Sequence, residues 1–135
     1  MMFHEGSTIL PGAKRGCGAP LHLGDVAARV CEPPLPAAHG GWGFWYDREV
    51  FYVQGHPNFS RKGSGLPPRN HLTHFPDLEK RHRKVIFGSH WPGNPGIRRN
   101  AQAMGALRRS VAPKEAIPGG DAARLLGLDT GEGRP

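Results

Sequence analysis

Three histidines share one setting in this sequence, because each comes at or just after the end of a short apolar run. They are His4 after residues 1–3, His39 after residues 35–38, and His90 after residues 85–87. Histidine titrates near neutral pH and is the commonest metal ligand, so this residue type points to proton transfer or metal binding. Ligands of βα folds bind beyond the carboxyl ends of the strands, which is where the three histidines would lie if the runs are strands.

The segment from Lys84 to Gly93 is the clearest of these units. Val85 to Phe87 is predicted to be a buried strand, because the turn residues that follow, 91–96, cannot be crossed by a helix. A helical pattern comes next, with its apolar residues spaced by four, three and three: Ile97, Ala101, Met104 and Leu107. Asn94 and Pro95 fit the N-cap and first position of that helix.

The whole chain repeats this alternation. Strand-like segments fall near residues 3, 38, 62 and 87, and helical or loop segments separate them. Further helices are predicted after Asp25, from Asp47 to about Gly55, and from Ala122 to Leu126 with Gly127 as the residue that ends the helix. The pattern predicts an α/β fold with a parallel sheet.

Two of the four predicted strands are weak. Pro36 interrupts the second, and proline cannot donate a hydrogen bond to a central strand pair. Residues 59–65, at the place of the third strand, have almost nothing to bury, so this segment is predicted to be a poor strand.

Composition limits the possible partners. The formal net charge is +7, which would suit a polyanion, but the basic residues are scattered and no aromatic residues alternate with them. A nucleic-acid partner is therefore not favoured, and charged helix faces in solvent explain the same residues.

Location is predicted from what the sequence lacks. Cys17 and Cys31 are too few for a disulfide scaffold and are expected to be free thiols. The sequence shows neither a signal peptide nor an apolar segment of the roughly 20 residues that a membrane span needs. These features predict a cytoplasmic protein with no membrane partner.

Six stretches resemble the C-terminal half of an amidohydrolase-related protein, a family of metal-dependent hydrolases and decarboxylases with a (β/α)8 TIM-barrel fold. The stretches are His4-Glu5-Gly6-Ser7, Ala38-His39-Gly40-Gly41-Trp42, Gly65-Leu66-Pro67-Pro68, residues 84–93, residues 95–100, and residues 121–128. They follow the family's order from about residue 3 to residue 128. The resemblance implies that residues 1–128 form roughly the last four βα units of a barrel and that residues 129–135 are a polar tail.

The resemblance also implies a role for each of the three histidines. His4 matches a metal ligand, and His39 matches a histidine that assists catalysis or contacts the metal. His90 stands where the family has a metal-binding aspartate. It is therefore expected to be a catalytic residue and the third metal ligand, with an imidazole in place of the carboxylate. The ion would be divalent, most simply zinc, and the family's pair of first-strand histidines has no counterpart in this sequence.

The implied function is that of a metal-dependent hydrolase or nonoxidative decarboxylase acting on a small carbonyl compound, truncated and impaired. A catalytically inactive half-barrel with a binding or structural role is the alternative. The tryptophans are expected to pack or to border the pocket mouth; they are Trp42, Trp45 and Trp91. The remaining histidines are expected to be exposed; they are His22, His56, His71, His74 and His82.

A half-barrel raises the question of what completes it, because a whole barrel of this type has about 250 residues. Half of one is expected to leave two strand edges unpaired and its apolar inner layer uncovered. We therefore expect a homodimer, a complementary half-barrel, or poor folding of the chain alone.

Overall fold

The computed structural model describes residues 1–107 and 119–128. Its centre is a four-stranded parallel sheet in the order β1-β2-β3-β4. The strands are Phe3–Gly6 (β1), Leu35–Trp42 (β2), Phe59–Gly63 (β3) and Val85–Phe87 (β4). All four lie where the sequence predicts them, which confirms the α/β class. The predicted tail, residues 129–135, lies outside the described residues.

β2 is a central strand although it contains Pro36, so the sequence-based objection to this strand is wrong. Pro36 pairs with Ser60 of β3. The N–H of the preceding residue, Leu35, donates to the carbonyl of Asn58 on the β3 side. Because successive backbone groups point to opposite sides of a strand, the nitrogen of Pro36 faces β1. The pairing with β1 starts only one residue later, at Phe3 and Ala37, so no ladder bond is lost.

β3 is also a well-formed strand, and the prediction that residues 59–65 have little to bury is wrong. Phe59, Ser60 and Arg61 are all buried, with exposed fractions of 0%, 3% and 2%. The sequence suggests a polar surface because Arg61 and Lys62 are charged. Arg61 is instead enclosed between the sheet and the surrounding helices, where its guanidinium lies 3.2 Å above the centre of the Phe75 ring.

Five α-helices accompany the strands within residues 1–107 and 119–128. They are Pro20–Arg29 (α1), Tyr46–Gly55 (α2), His71–His74 (α3), Ile97–Ala106 (α4) and Asp121–Leu126 (α5). Four predicted starts need correction. α2 begins at Tyr46, so Asp47 lies in its first turn and does not cap it. α1 begins at Pro20, which suits a first helical position, so Asp25 lies inside the helix. α4 begins after Gly96, which has a φ of 84°, and not after Asn94. α5 begins one residue early, because Asp121 is already helical.

Two apolar clusters hold the helices on the sheet. The first joins α1 and α2 to β2 and β3 through Leu23, Ala27, Leu35, Ala37, Val53 and Phe59. The second joins the β3–β4 connection and α4 to β4 through Leu66, Phe75, Leu78, Val85 and Met104. Burial of this kind stabilises a domain by about 25 cal/mol per Å² of apolar surface. Both clusters lie between the helices and one face of the sheet, and neither occupies the opposite face.

That opposite face is partly covered, whereas an open inner layer is expected from the sequence. Ala38, Ser60 and Ile86 are only 7%, 3% and 6% exposed. α5 contacts β4 and lines, with inner-face residues of the sheet, a cavity of about 230 Å³. Within the described sheet, β1 and β4 pair on one side only. The two unpaired edges therefore agree with the expectation.

Cys17 and Cys31 are exposed free cysteines, as predicted. None of the helices in the described parts of the chain is long and apolar enough to cross a membrane.

Candidate functional site

The three candidate histidines converge at the carboxyl ends of the strands. The ring centroids of His4 and His39 lie 4.8 Å apart, and those of His39 and His90 lie 4.9 Å apart. His4 belongs to β1, His39 to β2, and His90 follows β4. His39 is therefore the middle member of a cluster whose residues are distant in sequence.

A local departure from strand geometry places His39. His4 pairs with Ala38, but the next paired residue of β1, Gly6, lies opposite Trp42. The intervening residues of β2 include three in succession with positive φ, namely 76° at His39, 65° at Gly40 and 69° at Gly41. Such conformations are uncommon for residues other than glycine and concentrate at functional sites. His90, with a φ of 57°, is a second example.

His39 is oriented by Ser64, at the end of β3. Its Nδ1 lies 3.3 Å from the Ser64 carbonyl and 3.1 Å from the Ser64 hydroxyl oxygen. A carbonyl only accepts, so Nδ1 carries the proton of the neutral ring and Nε2 keeps a free lone pair. Burial lowers the pKa of His39, and the charges of His4, His90 and Lys62 lower it further, against the Ser64 hydrogen bond. These effects favour the neutral form of the His39 ring.

His90 is confined between two glycines. A Cβ at Gly65 would lie 2.7 Å from His90 Nδ1, and a Cβ at Gly93 would lie 3.2 Å from its Cδ2. The His90 Nδ1 atom is buried and has no hydrogen-bond partner among the described residues. A buried polar atom without a partner is unusual and is typical of a site that receives a ligand or ion.

The donor set suits a divalent metal in its chemistry, and two of its three ring pairs have a matching spacing. Imidazole suits zinc, and rings bound to one tetrahedral Zn²⁺ at about 2.0–2.1 Å have centroids roughly 5 Å apart. The buried Nδ1 of His90, which has no hydrogen-bond partner among the described residues, is a nitrogen that could act as a ligand. However, no group of three or more His, Cys, Asp or Glu side chains in residues 1–107 and 119–128 is already arranged to hold an ion. Binding of one ion by all three histidines therefore requires an arrangement different from the one described.

A buried polar cluster lies behind the site, and the sequence did not indicate it. It consists of Glu5 on β1, Glu49 on α2, Arg61 on β3 and His71 on α3, all at most 2% exposed. Arg61 Nη2 donates to His71 Nδ1 at 3.1 Å, and His71 Nε2 donates to the Leu66 carbonyl at 3.1 Å. The prediction that His71 is exposed is therefore wrong.

This cluster supports the bend that carries His39. A Cβ at Gly40 would lie 3.3 Å from Arg61 Nη2 and 3.4 Å from Glu49 Oε2. Burial raises the pKa of Glu49, with the Arg61 charge opposing it and Glu5 adding to it. Burial likewise raises the pKa of Glu5 to about 8 and lowers that of Arg61 to about 10. Enclosed ionisable groups therefore pack against the backbone of Gly40, next to His39.

The remaining sequence candidates lie outside the cluster of rings or at its border. Among the tryptophans, Trp42 meets His90 edge to face at a centroid distance of 6.4 Å, and Trp91 is 64% exposed. His22 is exposed as predicted, whereas His56, His74 and His82 are half-buried. His56 and His74 stack on Tyr52 and Tyr46, which explains them as packing residues.

Comparison with known proteins bears on the fold. An uncharacterized TIM-barrel protein from Bordetella bronchiseptica has a similar structure, with a TM-score of 0.70 and 20% sequence identity. The similarity covers 93% of this chain and 44% of that one, so this chain spans less than half of that protein's length. No family model matches the sequence, and a search of curated proteins finds no match. The chain folds as part of a TIM barrel.

Proposed function

We propose that this chain carries the metal-binding half of a TIM-barrel hydrolase or nonoxidative decarboxylase, with His4, His39 and His90 as the ligands. The observation that supports the proposal is the convergence of three imidazoles, at 4.8 and 4.9 Å between neighbouring ring centroids, at the strand ends. In TIM-barrel enzymes this end holds the active site. The resemblance to amidohydrolase-related proteins supports the same assignment.

Each histidine would act differently. His39 has its Nδ1 fixed by Ser64, so its Nε2 is presented as a ligand or as an acceptor for a substrate proton. His90 offers a buried nitrogen without a partner among the described residues. A divalent ion, zinc in the first instance, would supply Lewis-acid polarisation of a small carbonyl substrate. His90 brings no negative charge to the ion, unlike an aspartate, and an imidazole nitrogen that binds the metal has no lone pair left to accept a proton, so we expect low activity.

A catalytically inactive half-barrel is the second candidate. It is favoured by one observation, that the described residues contain no group of three or more His, Cys, Asp or Glu side chains in a geometry that could hold a metal ion. In this case the chain would keep the fold and bind partners without turning over a substrate.

The unpaired edges of β1 and β4 support a further part of the proposal. Four more strands would close a barrel of eight. They would come from the same polypeptide, from a second copy, or from a separate complementary half. Light scattering after size-exclusion chromatography measures which form is present in solution.

The experiment that tests the function is the metal content of protein purified without chelators. We expect zinc or manganese near one ion per chain, and its loss in His4→Ala and His39→Ala. His22→Ala, which removes an exposed histidine outside the cluster, is the matched control and should keep the metal. His90→Asp should bind metal more tightly and raise hydrolysis of simple esters and lactones. Absence of metal from every variant would leave the inactive half-barrel as the function.

A further inference from the structure

Lys62 lies in one row with His4 across the inner face of the sheet. The strand register pairs His4 with Ala38, Ala38 with Lys62, and Lys62 with Ile86. Paired residues of neighbouring strands point to the same face. Lys62 therefore shares the face of the histidines, one strand from the strand that carries His39.

The same lysine borders the inner cavity of about 230 Å³. The cavity is otherwise lined by apolar side chains from the starts of β1 and β2, from β4 and from α5. Examples are Met2, Pro34, Pro36, Ile86 and Leu125. Among the described lining residues, Lys62 has the one charged side chain. The volume is near the lower end of ligand pockets, so the cavity suits a small molecule.

The position of the Lys62 side chain depends on Gly88. A Cβ at residue 88 would lie 2.3 Å from Lys62 Cε and 2.8 Å from its Cγ. The lysine stem therefore lies flat over the end of β4, where any larger residue would displace it. Its ammonium is close enough to lower the pKa of His39. It makes no hydrogen bond or ion pair with the part of the chain that the structure describes.

We propose that Lys62 anchors a small monocarboxylate whose apolar body fills this cavity. A half-buried lysine without an anionic partner among the described residues is stabilised by one opposite charge. A carboxylate matches that single charge, whereas a phosphate dianion would need further donors that the apolar lining does not supply. The site goes beyond the metal-binding proposal, because neither the cavity nor Lys62 requires an ion at the histidines.

Hexanoate tests this site, with hexan-1-ol and hexylamine as neutral and cationic ligands of similar length. Titration calorimetry on metal-free protein should show binding of hexanoate, and at least about tenfold weaker binding of the alcohol and the amine. Lys62→Met should weaken hexanoate binding at least about tenfold, and Lys62→Arg should retain it. Lys80→Met, which removes an exposed lysine, should have no effect.

A second variant tests the cavity without changing charge. Ala122 lines the cavity from α5, so Ala122→Leu should fill it and weaken hexanoate binding. Circular dichroism melts establish that each variant is folded. Equal binding of hexanoate and hexan-1-ol, unchanged binding in Lys62→Met, or no binding to the wild-type protein would each overturn the proposal. None of these results depends on whether the histidines bind a metal.

Discussion

The imidazole rings of His39 and His90 lie 4.9 Å apart, and both residues have positive φ angles, 76° and 57°. A positive φ at a residue other than glycine costs about 1–3 kcal/mol. Here two such residues are neighbours in space. The surrounding structure maintains them, through Ser64 at His39 and through Gly65 and Gly93 at His90. Both of these strained residues lie at the carboxyl end of the sheet, where a site is expected.

Gly65→Ala should displace the His90 ring. The φ of Gly65 is 88°, and the new Cβ would lie 2.7 Å from His90 Nδ1, while Gly93 blocks movement on the other side of the ring. We expect a loss of about 2–4 kcal/mol in the free energy of unfolding, combining backbone strain and the clash. Urea denaturation measures this loss, and NMR of the histidine ring protons reports the position of His90.

Gly12→Ala is the matched control for that variant. Gly12 has a similar φ of 78°, with nothing within 4 Å of the added Cβ. It should show only the strain, about 1–2 kcal/mol, and no change in the His90 signals. Equal losses in the two variants, with unchanged His90 signals in both, would mean that the contact between Gly65 and His90 is not as described.

Lys84→Met should destabilise the protein by about 1–3 kcal/mol. Lys84 Nζ donates to the carbonyls of Val53 and His56 at 2.8 and 2.6 Å. These carbonyls lie at the C-terminal end of α2, where helices leave acceptors without internal partners. Methionine keeps the apolar stem but leaves both acceptors unsatisfied. Thermal and urea melts measure the difference.

The exposed residue Lys80 provides the comparison for Lys84. Lys80→Met removes the same charge from a nearby position and should change stability by less than about 0.5 kcal/mol. If the two substitutions cost the same, the bonds to α2 contribute nothing beyond the charge.

His71→Gln should make the protein less sensitive to acid. The pKa of His71 is lowered to about 3, mainly by burial and also by the Arg61 charge beside it and the nearby His74, against the hydrogen bond to Leu66. The unfolded chain therefore takes up a proton between about pH 6.5 and 3 that the folded chain does not. Stability from this residue is present above pH 6.5 and is lost as the pH falls.

The measurement for His71 is the difference in unfolding free energy between wild type and variant across that range. From about pH 6 to about pH 4 the wild type should lose roughly 2–3 kcal/mol relative to His71→Gln. Glu49, which faces the same cluster, titrates in both proteins, so its contribution largely cancels in the difference. Parallel pH profiles would show that His71 takes up its proton in the folded state as readily as in the unfolded one.

The positions of the strands and the convergence of the histidines are predictable from sequence. Val85 to Phe87 is a short apolar run ended by glycine, and parallel strands bring their carboxyl ends together. His4, His39 and His90 therefore meet because of topology, although their separation along the chain is large. The TIM-barrel similarity confirms the fold that brings these strand ends together.

The polar residues behind the site are not predictable in the same way. Arg61 looks like a surface residue in sequence, and its burial depends on Phe75 and His71, which come from another part of the chain. The sheet likewise tolerates Pro36 in β2 because the pairing of β2 with β1 begins only at the next residue, Ala37. Such features follow from long-range register, and local propensity contains no information about register.

The central claim is that His4, His39 and His90 together bind one divalent ion, and a Co²⁺ titration followed by visible absorption tests it most directly. We predict saturation at one Co²⁺ per chain, with the intense bands of a low-coordinate ion bound by imidazoles, lost in His39→Ala and kept in His22→Ala. A spectrum that stays that of hydrated Co²⁺ throughout the titration, or bands that persist in His39→Ala, would contradict the claim.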